Sequence, residues 1–416
     1  MTTAVETAPP RVRAATRSVY LAFILLGFAG SSWAARIPQV RDALDLTPSR
    51  LGLVLLAIAA GSIVALLLAG QVVAHFGSRR TVTAMAVLLG LAFTGIALGY
   101  RFGVPPLLAA LFFFGIANGA WDVAMNVQGA MVERRLGRAI MPRFHAGFSV
   151  GTVAGALAGA AAVAVHLPVT AHLLASGVLT TIVVVLAVRS FLPDDAGPEP
   201  AVTPSDATLV GSPTPVAEIE KDGRLGRTLS TWREPRTVLI GVFVLAFALT
   251  EGAGIDWISV AMIDGYGTPA SVGTLAFAVF LAAMTVGRWF GPGLLDRYGR
   301  VPVVRTLAVV SVAGLALFIG GGATPLAFVG ALFWGLGASL GFPVGMSAAA
   351  DDPAHAAPRV SVVASIGYCA FLAGPPVIGF LGDHVTVLRA LGVVAVLLAV
   401  AVALAGAVRP LTQPRG

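Results

Sequence analysis

Asn118, Asp122 and Asn126 stand four residues apart inside an otherwise apolar run, in the segment ANGAWDVAMN. At 100° per residue each four-residue step drifts only about 40° around a helix, so the three side chains form one polar stripe about two turns long. Gln128 falls on a different face. Amides inside a span are ordinary packing glue between helices. A carboxyl is harder to place, because an ionised side chain at the centre of a membrane helix costs about 2.5–3.5 kcal/mol unless a partner, a proton or water offsets it. A low-dielectric site disfavours the charged form, which lets a carboxyl load and release protons near neutral pH. Asp122 is therefore read as a proton or substrate carboxylate, with Asn118 and Asn126 lining the same cavity.

Glu251 and Asp256 are five residues apart, about 140° around a helix, and cannot both face one cavity squarely. Glu251 lies about 21 Å along its helix from Thr237, near mid-depth, and is the second cavity candidate. Asp256 lies near the outer end. Shifting the sequence by 221 residues aligns Arg36-Ile37 with Trp257-Ile258, so Arg36 and Asp256 occupy similar depths. They are read as an outer gate, since breaking and remaking a charge pair gives two discrete states. His145 enters its span close to a cytoplasmic turn, either as a second titrating relay or as a histidine bonded to a nearby carbonyl. Arg288 is read as lying about one turn from the inner end of its span, either snorkelling to the interface or forming a static salt bridge with the basic-turn region.

These groups need long apolar elements to hold them. The 416 residues are 57% hydrophobic and only 11% charged, with a mean hydropathy of +0.89, against about 25% charged residues in soluble domains. A hydrocarbon core of about 30 Å takes about 20 apolar residues in a helix. Twelve such runs fall near residues 17–38, 49–74, 80–100, 105–133, 141–166, 169–190, 237–263, 269–291, 302–321, 323–349, 359–381 and 386–408. The expected organisation is a cytoplasmic tail (1–16), a six-helix bundle (17–192), a polar linker (193–236), a second six-helix bundle (237–408) and a cytoplasmic tail (409–416). Arg11, Arg13 and Arg17 ahead of an apolar stretch mimic a secretory signal, but removing that span would break an even count of helices.

With both termini inside, cytoplasmic segments collect 21 of the 27 Lys and Arg, the outer loops hold five, and Arg288 is left within a span. That bias follows the positive-inside rule and accounts for the net charge of +7 without nucleic acid. One cysteine, Cys369, excludes an intrachain disulfide framework. No Gly-x-x-x-x-Gly-Lys-Ser/Thr loop, His-Glu-x-x-His motif or soluble catalytic grouping occurs, so no ATP-driven step, enzyme activity, cofactor or metal is expected.

The two halves repeat each other. Thr47-Pro48-Ser49 opens the second span as Thr268-Pro269-Ala270 opens the eighth, and each ends in a basic turn, His75-Phe76-Gly77-Ser78-Arg79-Arg80 or Asp296-Arg297-Tyr298-Gly299-Arg300. A shift of 220 residues pairs Asn118 with Ala338, Asp122 with Phe342 and Asn126 with Met346. The same slot therefore tolerates an apolar face, and packing alone does not explain the stripe. Gly147, Gly151, Gly155 and Gly159 recur every four residues in the fifth span, a close-packing face.

The turns resemble the Gly-x-x-x-Asp-Arg-x-Gly-Arg-Arg signature of the major facilitator superfamily (MFS). The first copy keeps Gly70, Gly77, Arg79 and Arg80 but has Ala74 where the family has Asp; the second keeps Asp296, Arg297, Gly299 and Arg300, with Pro292 in place of the leading glycine. The stretches WAARIPQVRDALDLT, ANGAWDVAMN, RFHAGFSVG and EGAGIDW resemble the bacterial YbjJ-type inner-membrane subgroup, related to fucose-permease-like transporters. The resemblance implies an all-α membrane protein of twelve transmembrane helices, two six-helix bundles in a pseudo-twofold arrangement, working by alternating access as a proton-coupled secondary transporter of a small solute. It implies a monomer in the cytoplasmic membrane, with the basic turns bracing the inner gate. Efflux of a drug or secondary metabolite by proton antiport is the alternative to uptake. Asp122 and Asn126 resemble the acid-x-x-x-Asn pattern of the fucose-permease-like group. The chain departs from that group in the fifth span, where Phe148-Ser149 replaces an Asn and leaves Ser149 as cavity candidate, and in the first, where Gly30-Ser31-Ser32 replaces an acid.

Overall fold

The computed structural model describes residues 9–137, 140–194, 230–352 and 355–411. Among them the regular elements are all helices. Twelve are long and apolar enough to cross a membrane: Pro10–Ala43, Pro48–Phe76, Ser78–Phe102, Val104–Leu136, Met141–Ala164, Val169–Ser190, Pro235–Tyr266, Ala270–Tyr298, Arg300–Gly320, Thr324–Ala349, Ala356–Val385 and Val387–Val408. They are called the first to twelfth spans. Most of the expected linker and parts of both tails (residues 1–8, 195–229 and 412–416) lie outside the described residues.

The sequence marks the ends of these spans with residues of fixed backbone preference. Pro48, Pro105, Pro142, Pro235 and Pro325 sit in the first two positions of their helices, where the missing N–H is no loss and the locked φ suits a helix start. Gly77 (φ 80°, ψ 160°) and Gly299 (φ 80°, ψ 164°) each turn the chain from one span into the next in a single residue. That positive-φ conformation is open to glycine and costly for most side chains. The eighth span runs through Pro292 to Tyr298, so Arg288 is ten residues from its end, about 15 Å. The expected placement one turn from the interface is corrected accordingly. The tenth span behaves differently. It splits into Thr324–Ala338 and Gly341–Ala349, because Pro343 has no N–H to give the carbonyl of Ser339, four residues back.

The chain divides into two compact units, Met1–Gly197 with Pro269–Ala278, and Pro198–Thr268 with Val279–Gly416. In the first, the first span packs on the fifth and sixth, and the third on the fourth and sixth; in the second, the seventh packs on the eleventh and twelfth, and the ninth on the tenth and twelfth. The internal repeat is thus a repeat of packing. The glycine face of the fifth span is what lets the first approach: a Cβ at Gly151 would land on the carbonyl oxygen of Ile24, and one at Gly155 on that of Phe28.

Candidate functional site

Asn118, Asp122 and Asn126 are all partly exposed, while Gly119, Ala120, Trp121, Val123, Ala124 and Met125 between them are buried. The stripe is the open face of an otherwise covered stretch of helix. Asn126 Nδ2 donates to the Asp122 carbonyl at 2.8 Å and to Asp122 Oδ1 at 3.3 Å. No Arg, Lys or His among the described residues bonds the Asp122 carboxyl. Asn126 Oδ1 is covered and has no donor, and the indole N–H of the fully buried Trp121 has no acceptor. Gln128, on the other face, is 0% exposed and structural: it donates to the Leu192 carbonyl and lies 3.2 Å from Ser78 Oγ.

Ser149 is buried and His145 partly exposed. The His145 ring stands edge-on to Phe23 with centroids 5.0 Å apart, a packing role alongside any polar one.

Glu251 meets a partner that the sequence reading had assigned elsewhere. Arg288 Nη2 donates to Glu251 Oε2 at 2.8 Å, and Arg288 Nε donates to the Ser339 carbonyl at 3.3 Å. Arg288 does not snorkel; it neutralises Glu251 and serves the carbonyl orphaned by Pro343. The signal was present in the sequence as a cation, an anion and a helix-breaking proline inside three apolar runs, but no spacing rule links them.

Arg36 is 2% exposed. Its Nε donates to His172 Nδ1 at 3.0 Å and its Nη2 to the Leu167 carbonyl at 3.1 Å, both in its own unit. His172 was missed by the sequence reading. Asp256 is partly exposed and forms no hydrogen bond or ion pair among the described residues.

The two basic turns are held by acids that lie just beyond the ends of other spans. In the first, which lacks the signature Asp, the Asp194 carboxylate accepts from Ser78 N at 3.0 Å and Ser78 Oγ at 2.6 Å, capping the third span where Gly77 leaves room for it. Gly70 is partly exposed, and Arg79 and Arg80 are exposed. In the second turn, Arg300 reaches Asp351 at 2.6 Å and Ser347 at 3.0 Å, and Asp351 also holds Arg236 at 2.9 Å. Arg359 ties Glu234 at 2.7 Å to Asp352 at 3.0 Å. The Arg359 hydrogen bond holds the Glu234 carboxyl below the usual carboxylate range. Asp296 and Arg297 are exposed, Arg297 resting over the Tyr298 ring.

The family model described as Major Facilitator Superfamily matches residues 19–370. An uncharacterized MFS-type transporter of Yersinia pestis is 32% identical over 395 residues, covering 94% of this chain and 95% of its own. The membrane protein MosC of Rhizobium meliloti is 28% identical over 380 residues, 90% of this chain and 85% of its own. Among solved structures, a mutant of the nucleoside transporter NupG superposes with a TM-score of 0.72 at 14% identity, covering 95% of this chain and 98% of that one. A mutant of the E. coli fucose:proton symporter FucP superposes with a TM-score of 0.62 at 15% identity, covering 94% and 97%. At these identities the structural likeness concerns the fold.

Proposed function

The chain belongs to the Major Facilitator Superfamily, and from that premise we propose that it is a secondary transporter of the cytoplasmic membrane that moves a small polar solute by alternating access, with Asp122 carrying the coupling proton. The observation that supports this most is the contrast between the two mid-span carboxyls. Glu251 has an arginine 2.8 Å away; Asp122 has an amide and no cation among the described residues. A carboxylate at that depth needs a compensating charge, and a proton is a counter-ion that Asp122 can take and give up without a fixed cationic side chain. Asn126 completes the arrangement by steadying the carboxyl without neutralising it. The reading agrees in kind with the fucose:proton symporter among the fold neighbours, and the arginine bias supports cytoplasmic termini. The protein acts as a monomer, with protons, solute and lipid as partners.

Efflux of an amphipathic compound draws less support. Of the aromatic residues that would suit such a solute, Trp33, Trp121, Trp257 and Trp334 are at most 3% exposed and pack within the units, and Phe342 alone is partly exposed.

The test is flux in proteoliposomes. Asp122→Asn should abolish the pH dependence of transport and its acceleration by an imposed proton gradient. Normal, pH-dependent flux in this variant would sink the assignment.

A further inference from the structure

Arg288 lies on the inward face of its helix. The exposed residues of that turn are Val286, Trp289 and Phe290, whereas Leu281, Met284 and Gly291, which share the arginine's face at helical spacing, are buried. On the seventh span Glu251 shares a face with buried Phe247, Gly254 and Ile258. The Arg288 and Glu251 side chains are nevertheless 13% and 19% exposed. That residual exposure falls on faces whose neighbours one turn away are buried.

The pair also leaves hydrogen-bonding capacity unused. A guanidinium has five N–H donors in a planar fork and a carboxylate has two acceptor oxygens, and a closed pair is commonly bidentate. Here one bond joins them, from Nη2 to Oε2; Nη1 and Glu251 Oε1 have no partner among the described residues. The arginine is fixed at its other side, where Nε donates to the carbonyl that Pro343 frees in the tenth span. The forked end can therefore exchange partners while its root stays anchored.

We infer that Glu251 and Arg288 form the recognition site for a zwitterionic solute of the free amino acid class, whose carboxylate docks on the Arg288 fork and whose ammonium docks on Glu251. Charge balance selects this class. A neutral pair opened by a zwitterion exchanges one internal contact for two external ones and strands no charge. A simple anion would take Arg288 and leave Glu251 uncompensated within the span; a simple cation would do the reverse. The apolar tenth-span face of Ala338, Phe342 and Met346 competes for neither charged group. This inference rests on the transporter reading above but not on its proton coupling.

The experiment uses the purified full chain in detergent, with ligand-induced thermal stabilisation and equilibrium binding measured against the twenty protein amino acids. For each amino acid that binds, its decarboxylated amine and its deaminated acid are tested beside it. At least one amino acid should bind, with the amine and the acid each at least tenfold weaker. Glu251→Gln and Arg288→Gln should each weaken amino acid binding at least tenfold, and Glu251→Gln should also erase the preference over the deaminated acid. If Arg288→Gln fails to fold, Glu251→Gln carries the test, because it leaves Arg288 on the Ser339 carbonyl. Failure of all twenty to bind, equal binding of the deaminated acid to the unaltered protein, or full affinity in Glu251→Gln would each overturn the inference. Amino acid flux without pH dependence in proteoliposomes would refute proton coupling and leave this site standing. Proton-driven flux of a solute lacking either charge would do the opposite.

Discussion

Glu251→Gln is the substitution whose energetic outcome is most sharply set by the geometry. It keeps the size of the side chain and one oxygen near Arg288, but strands a guanidinium that is 13% exposed with the Ser339 carbonyl as its remaining bond. Breaking a buried pair by removing one partner costs about 3–5 kcal/mol; the residual exposure of both side chains lowers the expected loss to about 2–3 kcal/mol. Arg288→Met should cost a similar amount for the stranded carboxylate, and about 1 kcal/mol more because the Ser339 carbonyl loses its donor. The double variant has no stranded charge. It should fall within about 1–2 kcal/mol of the unaltered protein, far short of the sum of the singles, which is the signature of direct coupling. Reversible unfolding in mixed dodecyl maltoside and SDS micelles, followed by circular dichroism, supplies the four free energies. If Glu251→Gln lies within about 0.5 kcal/mol of the unaltered protein and the two losses simply add, the pair does not exist in the membrane and Arg288 reaches the interface after all.

Three further outcomes follow from the same geometry. Asp194→Ala removes the acceptor for Ser78 N–H and Oγ and should destabilise the start of the third span by about 1–2 kcal/mol, read as faster amide exchange in its first turn with little change elsewhere. Gly151→Val should abolish folded yield in size-exclusion chromatography, since its Cβ would meet the Ile24 backbone, whereas Gly70→Ala, which meets nothing within contact distance, should be neutral or stabilising by up to about 1 kcal/mol. Because Arg359 holds the Glu234 carboxyl below its ordinary range, the folded chain binds fewer protons there than the unfolded chain. The stability this contributes is present at neutral pH and lost as pH falls through the carboxylate range. In Arg359→Gln, unfolding measured from pH 7 to 4 should show that component missing at pH 7 and a shallower loss on acidification.

The twelve spans were legible because their signal is additive: each needs only about 20 apolar residues and an end marker. The glycine face of the fifth span and the one-residue turns at Gly77 and Gly299 were legible for a related reason, since periodicity and backbone conformation are properties of a local stretch. The pairings were not. Arg288 with Glu251, Arg36 with His172 and Ser78 with Asp194 join residues 37, 136 and 116 positions apart. A single sequence states that a charge is present without stating who compensates it. Arg288 was misplaced for a further reason: the eighth span was expected to end at residue 291, before the polar segment that carries Asp296, whereas the helix absorbs Pro292 and ends at Tyr298.

The two halves solve one problem in opposite ways. At the slot occupied by Asp122 in the fourth span, the tenth carries Phe342, and where the fourth has Val123 the tenth has Pro343. The fourth span therefore keeps its ladder intact through the stripe, and its carboxyl is steadied by an amide one turn along the same helix. Nothing in that arrangement commits the carboxyl to a fixed charge. The tenth span gives up its ladder at Ser339, and the freed carbonyl anchors an arginine from the eighth span that in turn pairs with Glu251 on the seventh. One half thus holds a carboxyl with no cationic partner among the described residues, and the other holds opposite charges paired at 2.8 Å. If coupling arises from this division, the charge variants of each half should fail differently. Asp122→Asn should leave solute binding measurable while removing its response to pH, and Glu251→Gln should weaken binding while the pH response of the remaining flux persists.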